Sequence, residues 1–410
     1  MKENKPVYRL KEYETASGLP LSPASAAILR KEFHHVVTLR SAAADTWDVA
    51  ASSYIGRIEL PDAALYIAPK IAGVTVWRWL SVVYDLPSLR LSPAATQFGE
   101  WTGDVEWLVQ AFAKECMAIV RGGLRSGYET RVEPTENVRG HLRIAPTLAQ
   151  WMKQEYRFVC AYDEPTRSVA ENRLLYAGLY HMAQRRYRNP SLRRDLLRLC
   201  PAFAPEKPPE REEAETALPS EQLAELARLP RLRLSRPYAR ACAWLALYWQ
   251  GSAWAMREGA VPHDSFVLDM NELFERYVAR RLQETLSRHG IEVSTQPHHW
   301  LGENGHIRIV PDLVLRHPSG KEVVVDTKYK LRTGQGENAD VFQMLAYLTA
   351  RQAHSGVLLY AAGSERADRI QNTGKTIHRW SLGLESPQTI EEQEAYMSRM
   401  VKRLLALFAG

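Results

Sequence analysis

The stretch IRIVPDLVLRHPSGKEVVVDTKYK, residues 307–330, has two apolar runs joined by a His-Pro-Ser-Gly turn. Apolar runs on either side of a short turn predict two neighbouring strands of a sheet. Each run carries an acid where a buried strand usually has none: Asp312 in the first and Asp326 in the second. Because neighbouring strands lie about 4.8 Å apart, folding the two runs back on each other brings the carboxylates close together.

Lys328 extends this pair of acids. Side chains two residues apart in a strand project from the same face, so Asp326 and Lys328 point together with Asp312 beside them. Two close carboxylates repel each other unless a cation neutralises them, and oxygen ligands suit a hard ion such as Mg²⁺. A bound ion would polarise a phosphoryl oxygen, and Lys328 would orient the attacking water or stabilise charge on the phosphate. The stretch therefore predicts a centre that hydrolyses phosphodiesters.

A structural salt bridge between Asp326 and Lys328 is the simpler alternative. An acid two residues before a lysine arises by chance about once or twice in a chain of this length. Glu3-Asn4-Lys5 is such a case, in a polar tail with no strand before it. The order of the surrounding elements favours the functional interpretation, because an amphipathic helix precedes the two strands and another helix follows them.

The two flanking helices offer further polar candidates. Glu272 and Glu275 lie one turn apart on the upstream helix, and we prefer Glu275 because it follows Phe274 in the apolar part. Glutamates on helices are usually just solvated, so the choice between the two stays open. On the downstream helix, Gln343 and Tyr347 are four residues apart. A glutamine on an apolar helix needs a hydrogen-bonding partner, which is either the site or another core group.

Changes in pattern along the chain predict three domains. Residues 1–95 have short β-favouring pieces followed by a helix, and residues 96–258 are mostly helical. A Pro/Glu-rich stretch at 201–222 interrupts the helices and is predicted to be an exposed loop. Residues 259–410 read as helix, three strands, helix and strand. The predicted fold class is multidomain α/β and α+β, with a β-rich N-terminal domain, a helical middle region and a C-terminal α/β domain.

Composition narrows the class of protein. The chain has 410 residues, 45% apolar and 24% charged, with a net charge of +6, which is compatible with a polyanionic partner. Its four cysteines, about forty residues apart, fit neither a zinc site nor a disulfide framework. The polar N-terminus lacks the apolar segment of a signal peptide, and no apolar run is long enough to span a membrane. We expect a cytoplasmic protein.

The arrangement resembles the PD-(D/E)XK nuclease superfamily. The helix with Glu275, the Pro-Asp at 311–312, the Asp-Thr-Lys at 326–328 and the helix with Gln343 occur in that family's order. More narrowly, the chain resembles the McrC family, the nuclease subunit of McrBC-type modification-dependent restriction systems. The phrases that carry this likeness spread from about residue 54 to 350. They are IGRIELPDAALYIAPKI, VRGHLRI, CAYDEPTRSVAENRLL, MNELFERYV, PDLVL, VVVDTKYK and DVFQMLAY.

The resemblance implies a restriction-endonuclease-like C-terminal domain and N-terminal regions that dock onto an McrB-type hexamer of AAA+ GTPase subunits and stimulate GTP hydrolysis. The complex would move along DNA and cut it, with a modified cytosine read by the partner and Mg²⁺ as the cofactor. Asp312, Asp326 and Glu275 would be metal ligands, Lys328 the catalytic lysine, and Gln343 a further catalytic residue. Two nuclease domains would have to pair on DNA to break both strands.

The sequence reveals no P-loop with which this chain could bind and hydrolyse a nucleotide itself. The nearest approach to a P-loop is RIQNTGKT, where Arg369 occupies the position of the first glycine, so Gly374 is predicted to lie in a turn before a strand. GTP would be bound by the partner. Three alternatives remain: a stand-alone nuclease of the DNA-repair kind, a non-catalytic adaptor that activates a ring NTPase, and a DNA-binding module whose arginine-rich helices contact phosphate.

Overall fold

The computed structural model describes residues 5–43, 46–86, 105–185, 187–205, 224, 226, 235–252, 265–302, 305–331, 337–384 and 389–409. The chain falls into two compact units, Met1–Asp104 with Ser265–Gly410, and Val105–Asp264. The first quarter and the last third of the chain thus belong to one unit. The three-domain division at residues 95 and 258 stays a prediction.

The N-terminal third has the predicted strands. They form two sheets, of which one has the order β2-β4-β3, and the other has β1, β6 and β5 in that order. Helix α1, which precedes the predicted helix, was not predicted. Ser22 caps its N-terminus by accepting a hydrogen bond from the Ser25 amide, and Pro23 occupies the first helical position. The elements are β1 (Val7–Lys11), β2 (Thr15–Pro20), α1 (Pro23–Glu32), β3 (Val37–Ala43), β4 (Thr46–Ala51), β5 (Tyr54–Glu59), β6 (Ala64–Ala68) and α2 (Gly73–Val83).

The middle unit combines the predicted helices with a three-stranded sheet of order β7-β9-β8 that the sequence did not reveal. The first strand of this sheet is largely exposed, so it lacks the apolar face on which strand prediction depends. Helix α6 continues to Phe203 through Pro201, so the predicted loop begins later, and residues 206–222 lie outside the described residues. The elements are α3 (Glu106–Gly122), β7 (Gly127–Thr135), β8 (His141–Leu142), α4 (Ile144–Trp151), β9 (Phe158–Thr166), α5 (Ala170–Gln184), α6 (Pro190–Phe203) and α7 (Arg236–Ser252).

The C-terminal third starts with a strand that completes the N-terminal sheet and then forms a mixed six-stranded sheet, in the order β11-β14-β15-β16-β18-β17. Strands β14 and β15 form the predicted antiparallel hairpin, whereas β15, β16 and β18 run parallel. The elements are β10 (Phe266–Asp269), α8 (Met270–Leu286), β11 (Glu292–Thr295), β12 (His299–Trp300), β13 (Arg308–Ile309), β14 (Leu313–Arg316), β15 (Glu322–Leu331), α9 (Glu337–Ala350), β16 (Ser355–Ala362), β17 (Arg366–Ile370), β18 (Lys375–Ser381) and α10 (Ile390–Ala409).

Local sequence features mark several ends of helices and strands in the C-terminal third. Gly290 has a φ of +72° at the end of the short 3₁₀ turn after α8, a left-handed conformation that is typical of a C-terminal cap. Gly374, with a φ of +66°, lies in the predicted turn before β18. The apolar run from residue 307 to 318 was predicted as one strand, but it is interrupted at residues 310–312 and divides into β13 and β14. Strand β17 was not predicted.

Helices cover both faces of the six-stranded sheet. On one face, Met344 and Leu348 of α9 pack on Val324, Leu358 and other buried side chains of the strands. On the other face, the ring of Tyr329 in β15 lies 5.8 Å from that of Phe274 in α8. The alternation of the strand thus directs odd-numbered side chains of β15 towards α8 and even-numbered ones towards α9. Among the described helices, none is long and apolar enough to cross a membrane.

The pairing of β5 with β10 depends on a glycine. Gly56 pairs with Val267, and its φ is +136°. A Cβ at this position would lie 2.1 Å from the carbonyl oxygen of Phe266. Backbone atoms cannot yield to such a contact as a flexible side chain would, so only glycine fits.

We therefore expect Gly56→Ala to lower the free energy of unfolding by at least about 2 kcal/mol, measured as a shift in the urea midpoint. Gly18→Ala is the matched control, since Gly18 has a φ of +69° with no atom within 4 Å of the added Cβ. It should cost only the backbone strain of about 1 kcal/mol. Equal losses in the two variants would contradict the role given to the β5–β10 pairing.

Candidate active site on strands β14 and β15

The structure places Asp312 and Asp326 across from each other at the end of the β14–β15 hairpin. Leu313 pairs with Val325 in the antiparallel ladder, so the next position along puts Asp312 opposite Asp326. Asp312 is held by Thr327, whose backbone N–H and hydroxyl both donate to its Oδ2 at 2.7 Å. Asp326 itself is buried, with 1% of its surface exposed.

Lys328 and Gln343 lie on the same side of the sheet as Asp326. The Nζ of Lys328 is 2.6 Å from Oδ2 of Asp326 and donates a hydrogen bond of 3.0 Å to Oε1 of Gln343. The Nε2 of Gln343 donates to the Tyr347 hydroxyl at 2.7 Å, and that hydroxyl donates to the carbonyl oxygen of Val310 at 3.2 Å. The polar glutamine of α9 therefore has its partner in the site, and it fixes the lysine ammonium from the helix side.

Glu275 joins the group through an intermediary. The Nε2 of Gln296 donates to Oε1 of Glu275 at 2.8 Å, and the backbone N–H of Gln296 donates to the carbonyl oxygen of Asp312 at 2.8 Å. Glu272 instead forms a 3.4 Å ion pair with Arg276 along the helix surface. Of the two candidate glutamates, the geometry brings Glu275 to the strand acids.

The electrostatics of this group reflect an excess of negative charge in a buried place. Burial first, and then the charge of Asp312, raise the pKa of Asp326, and the ion pair with Lys328 offsets this only in part. Burial and the charge of Asp312 also raise the pKa of Glu275 to about 7. Burial opposes the charge of Lys328, but the neighbouring carboxylates outweigh it and raise the pKa of Lys328. The charges of Asp326, Asp312 and Asp340 thus all act on Lys328.

These donors fit a hard divalent cation. Mg²⁺ is commonly held in proteins by one or two carboxylates and several waters, and Asp312 and Asp326 supply two carboxylates on facing strands. Within the described ranges, no group of three or more His, Cys, Asp or Glu side chains is arranged to hold an ion as it stands. The metal-ligand roles of Asp312, Asp326 and Glu275 stay predictions, as do the catalytic roles of Lys328 and Gln343.

Several residues near the site were missed by sequence reasoning. Gln296 and Thr327 each donate two hydrogen bonds to the acids, and the sequence gives no signal for these contacts. A second charged pair lies beside the site, where Nζ of Lys330 is 2.6 Å from Oδ2 of Asp340 and the Tyr360 hydroxyl donates to the same oxygen at 2.8 Å. Period-two alternation from Lys328 would have predicted the face of Lys330, but not its partner.

The fold and the site define a mixed α/β protein whose central strands carry two facing acids and a lysine. The chain belongs to the family described as McrBC 5-methylcytosine restriction system component, whose model matches residues 49–361. This confirms the resemblance to the McrC family that rested on phrases across the same span. A search of curated proteins gave no match to this sequence.

A solved structure agrees with this fold. One chain of a half-complex from the tetradecameric assembly of Thermococcus gammatolerans McrB AAA+ hexamers with bound McrC matches with a TM-score of 0.56 and 16% identity. The match covers 96% of the present chain and 99% of the other. A chain of the Thermococcus gammatolerans McrBC complex has 20% identity over 68% of this chain and 88% of its own, with a TM-score of 0.45 that is too low to support the fold assignment.

The raised pKa of Asp326 predicts a stability that depends on pH. In EDTA, Asp326→Asn is expected to raise the free energy of unfolding by about 1–2 kcal/mol at about pH 8. Because the folded state holds this proton more tightly than the unfolded chain, the unfavourable charge is absent in acid and complete above the raised pKa. The gain should therefore begin to grow above about pH 4, the ordinary pKa of an aspartate, and level off once the pH exceeds the raised pKa.

Glu322 on the same strand gives a control of opposite sign. Burial disfavours its charge, but hydrogen bonds from Arg316 and Arg351 outweigh this and lower its pKa. Glu322→Gln should destabilise the chain near neutral pH, and this loss should shrink as the pH falls through the lowered pKa. An Asp326→Asn variant that loses stability at every pH would show that the ion pair with Lys328 outweighs the crowding of acids.

Proposed function

We propose that this chain is the Mg²⁺-dependent endodeoxyribonuclease subunit of a GTP-driven restriction complex that acts on DNA carrying modified cytosine. The observation that carries the proposal is the set formed by Asp312, Asp326 and Lys328 at the end of the β14–β15 hairpin. Its members lie close together at the end of the hairpin and are held by hydrogen bonds, and Asp326 is buried. In this reading, the C-terminal third is a PD-(D/E)XK nuclease domain.

The residues divide the chemistry between them. Asp312 and Asp326 would hold the metal, with Glu275 as the third carboxylate. When bound, Mg²⁺ supplies charge neutralisation at the phosphate and lowers the pKa of a coordinated water. Lys328, fixed by Asp326 and Gln343, keeps its ammonium beside the acids, where it orients the water and stabilises charge that develops on the phosphate.

The nucleotide chemistry is assigned to a partner. The matched structure from Thermococcus gammatolerans contains McrB AAA+ hexamers with bound McrC, and the likeness spans 96% of the present chain. We propose that an McrB-type AAA+ GTPase hexamer binds this chain and that the chain stimulates its GTP hydrolysis. The family description names 5-methylcytosine, which supports DNA with modified cytosine as the substrate. The base would be read by the partner.

The first test compares cleavage by the wild type and by Asp326→Asn, using the partner GTPase, GTP, Mg²⁺ and methylated or unmethylated plasmid. We expect the variant to lose at least about a hundredfold in cleavage rate, because it removes the charge of a metal ligand but little volume. Glu322→Gln, on the same strand and face, should cut at close to the wild-type rate. GTP hydrolysis should persist in both variants.

The alternatives give different outcomes. Cleavage without partner or GTP would indicate a stand-alone nuclease, and GTPase stimulation without any cleavage by the wild type would indicate an adaptor. Undiminished cutting by Asp326→Asn would show that the site is wrongly assigned.

Metal binding is tested separately by thermal unfolding with Ca²⁺ or Mg²⁺ and no DNA. A ligand that binds only the folded state stabilises it, by about 1.4 kcal/mol at ten times the dissociation constant. The wild type should gain this, Asp312→Asn should not, and Glu275→Gln should gain less than Glu272→Gln. Equal gains for the two glutamate variants would remove Glu275 from the ligand set.

A further inference from the structure

The backbone of β15 is irregular immediately after Lys328. In the parallel ladder with β16, Lys328 pairs with Tyr360 and Leu331 pairs with Ala362, so β15 uses one more residue than its neighbour over this interval. Such a bulge bends a strand and increases its local twist, and it re-aims the side chains beside it. The direction in which Lys328 leaves the sheet therefore depends on what holds the bulge.

Two residues that follow strands β1 and β6 hold the bulge. The Nζ of Lys70 donates to the carbonyl oxygen of Tyr329 at 3.0 Å and lies 3.9 Å above the centre of the Tyr329 ring. The hydroxyl of Tyr329 donates to Oε2 of Glu12 at 3.0 Å, and the backbone N–H of Lys70 donates to the same oxygen at 2.7 Å. Glu12 directly follows β1 and Lys70 closely follows β6, which are parallel neighbours. Tyr329 is thus held at both its backbone and its side chain.

Burying the polar groups of this cluster is energetically unfavourable for a contact with a purely structural role. Glu12 is 5% exposed and Tyr329 is 2% exposed. Burial raises the pKa of Glu12 to about 7 despite the hydrogen bonds from Lys70 and Tyr329. In the described part of the chain, Oε1 of Glu12 is buried without a hydrogen-bonding partner. Apolar side chains of similar volume often stabilise a folded protein as well as a buried charged cluster does, or better. Stability alone therefore does not explain why these polar residues are buried here.

We propose that Glu12 and Lys70 are positioning residues that fix the bulge at Tyr329 and thereby aim Lys328 at Asp326. The proposal rests on the function proposed above for Lys328. It also gives the N-terminal sheet, the region expected to dock on the partner GTPase, a direct hold on the strand that carries the catalytic lysine. Neither residue touches DNA or metal in this assignment, so each acts only through the geometry of β15.

The test is Lys70→Met, which keeps most of the side-chain volume but removes the hydrogen bond to the bulge. We expect kcat for DNA cleavage with the partner complex to fall about tenfold to a hundredfold, since a misplacement of about 1 Å at a reacting group costs this much. The KM for DNA and the stimulation of the partner GTPase should stay within about twofold of the wild type. Lys70→Arg should recover part of the loss, because it restores a donor to the carbonyl oxygen.

Lys375→Met is the matched control. The Nζ of Lys375 also donates to backbone carbonyl oxygens, those of Leu348 and Ala353, both at 3.0 Å. Lys375→Met therefore removes the same kind of hydrogen bond, from a lysine to a backbone carbonyl, at a place remote from Lys328 in the sheet. Its kcat should stay near that of the wild type, even where its unfolding temperature falls as far as that of Lys70→Met.

Hydrogen exchange of backbone amides supplies a readout that does not need cleavage. Lys70→Met should speed the exchange of residues 328–331, and Lys375→Met should not. If the wild type with its partner fails to cut DNA, the proposed function is wrong, while the exchange comparison still decides whether Lys70 holds the bulge. Unchanged exchange at residues 328–331 would overturn the positioning role.

Two further outcomes would overturn it as well. An unchanged kcat in a folded Lys70→Met chain would mean that the cluster only packs the N-terminal sheet onto β15. An equal fall in kcat and in GTPase stimulation would mean that the cluster acts on docking to the partner.

Should Lys70→Met fail to fold, Tyr329→Phe supplies a second variant, because it removes only the hydroxyl that binds Glu12. It should lower kcat about threefold to tenfold. An unchanged kcat in that variant would reject the role of Glu12.

Discussion

The antiparallel register of β14 and β15 is the constraint on which the rest of the site depends. Once Leu313 is opposite Val325, Asp312 must meet Asp326 at the end of the ladder, and Lys328 must project on the same face as Asp326. A shift of one residue would turn Asp326 towards the opposite helix and bury an apolar side chain in its place. The hairpin turn, the apolar residues of both strands and the two covering helices all maintain this single alignment.

The opposite faces of the sheet contribute differently to the site. On the α9 face, Gln343 and Tyr347 form a chain of hydrogen bonds that ends on the carbonyl oxygen of Val310, two residues before Asp312. On the α8 face, the rings of Phe274 and Tyr329 pack against each other, and the Thr327 hydroxyl donates to Asp312. Both faces thus combine packing with polar contacts to the candidate site. One strand serves both because its side chains alternate.

Sequence reasoning recovered the parts of this arrangement that follow from period and order. Alternation placed Asp326 and Lys328 on one face, the turn placed Asp312 beside them, and the apolar helix pattern made Gln343 conspicuous. It did not recover Gln296 or the hold of Lys70 on Tyr329, because these contacts join residues far apart in the sequence and carry no periodic signal. Exposed strands such as β7 were missed since they lack a buried face, and the pairing of β10 with β5 depends on long-range contacts that local propensity does not encode.

The pairing of β10 with β5 also imposes an order on synthesis. Strand β5 emerges from the ribosome early, but its neighbour β10 is made only after the whole middle unit, about two hundred residues later. At about 5–20 residues per second, β5 has an unpaired edge for roughly 10–40 s. An unpaired edge is a template for association with other chains, so the nascent protein must rely on its middle unit folding without delay or on chaperones that shield the edge. Strands β14 and β15 follow later still, so the proposed nuclease site is assembled only after this edge is closed.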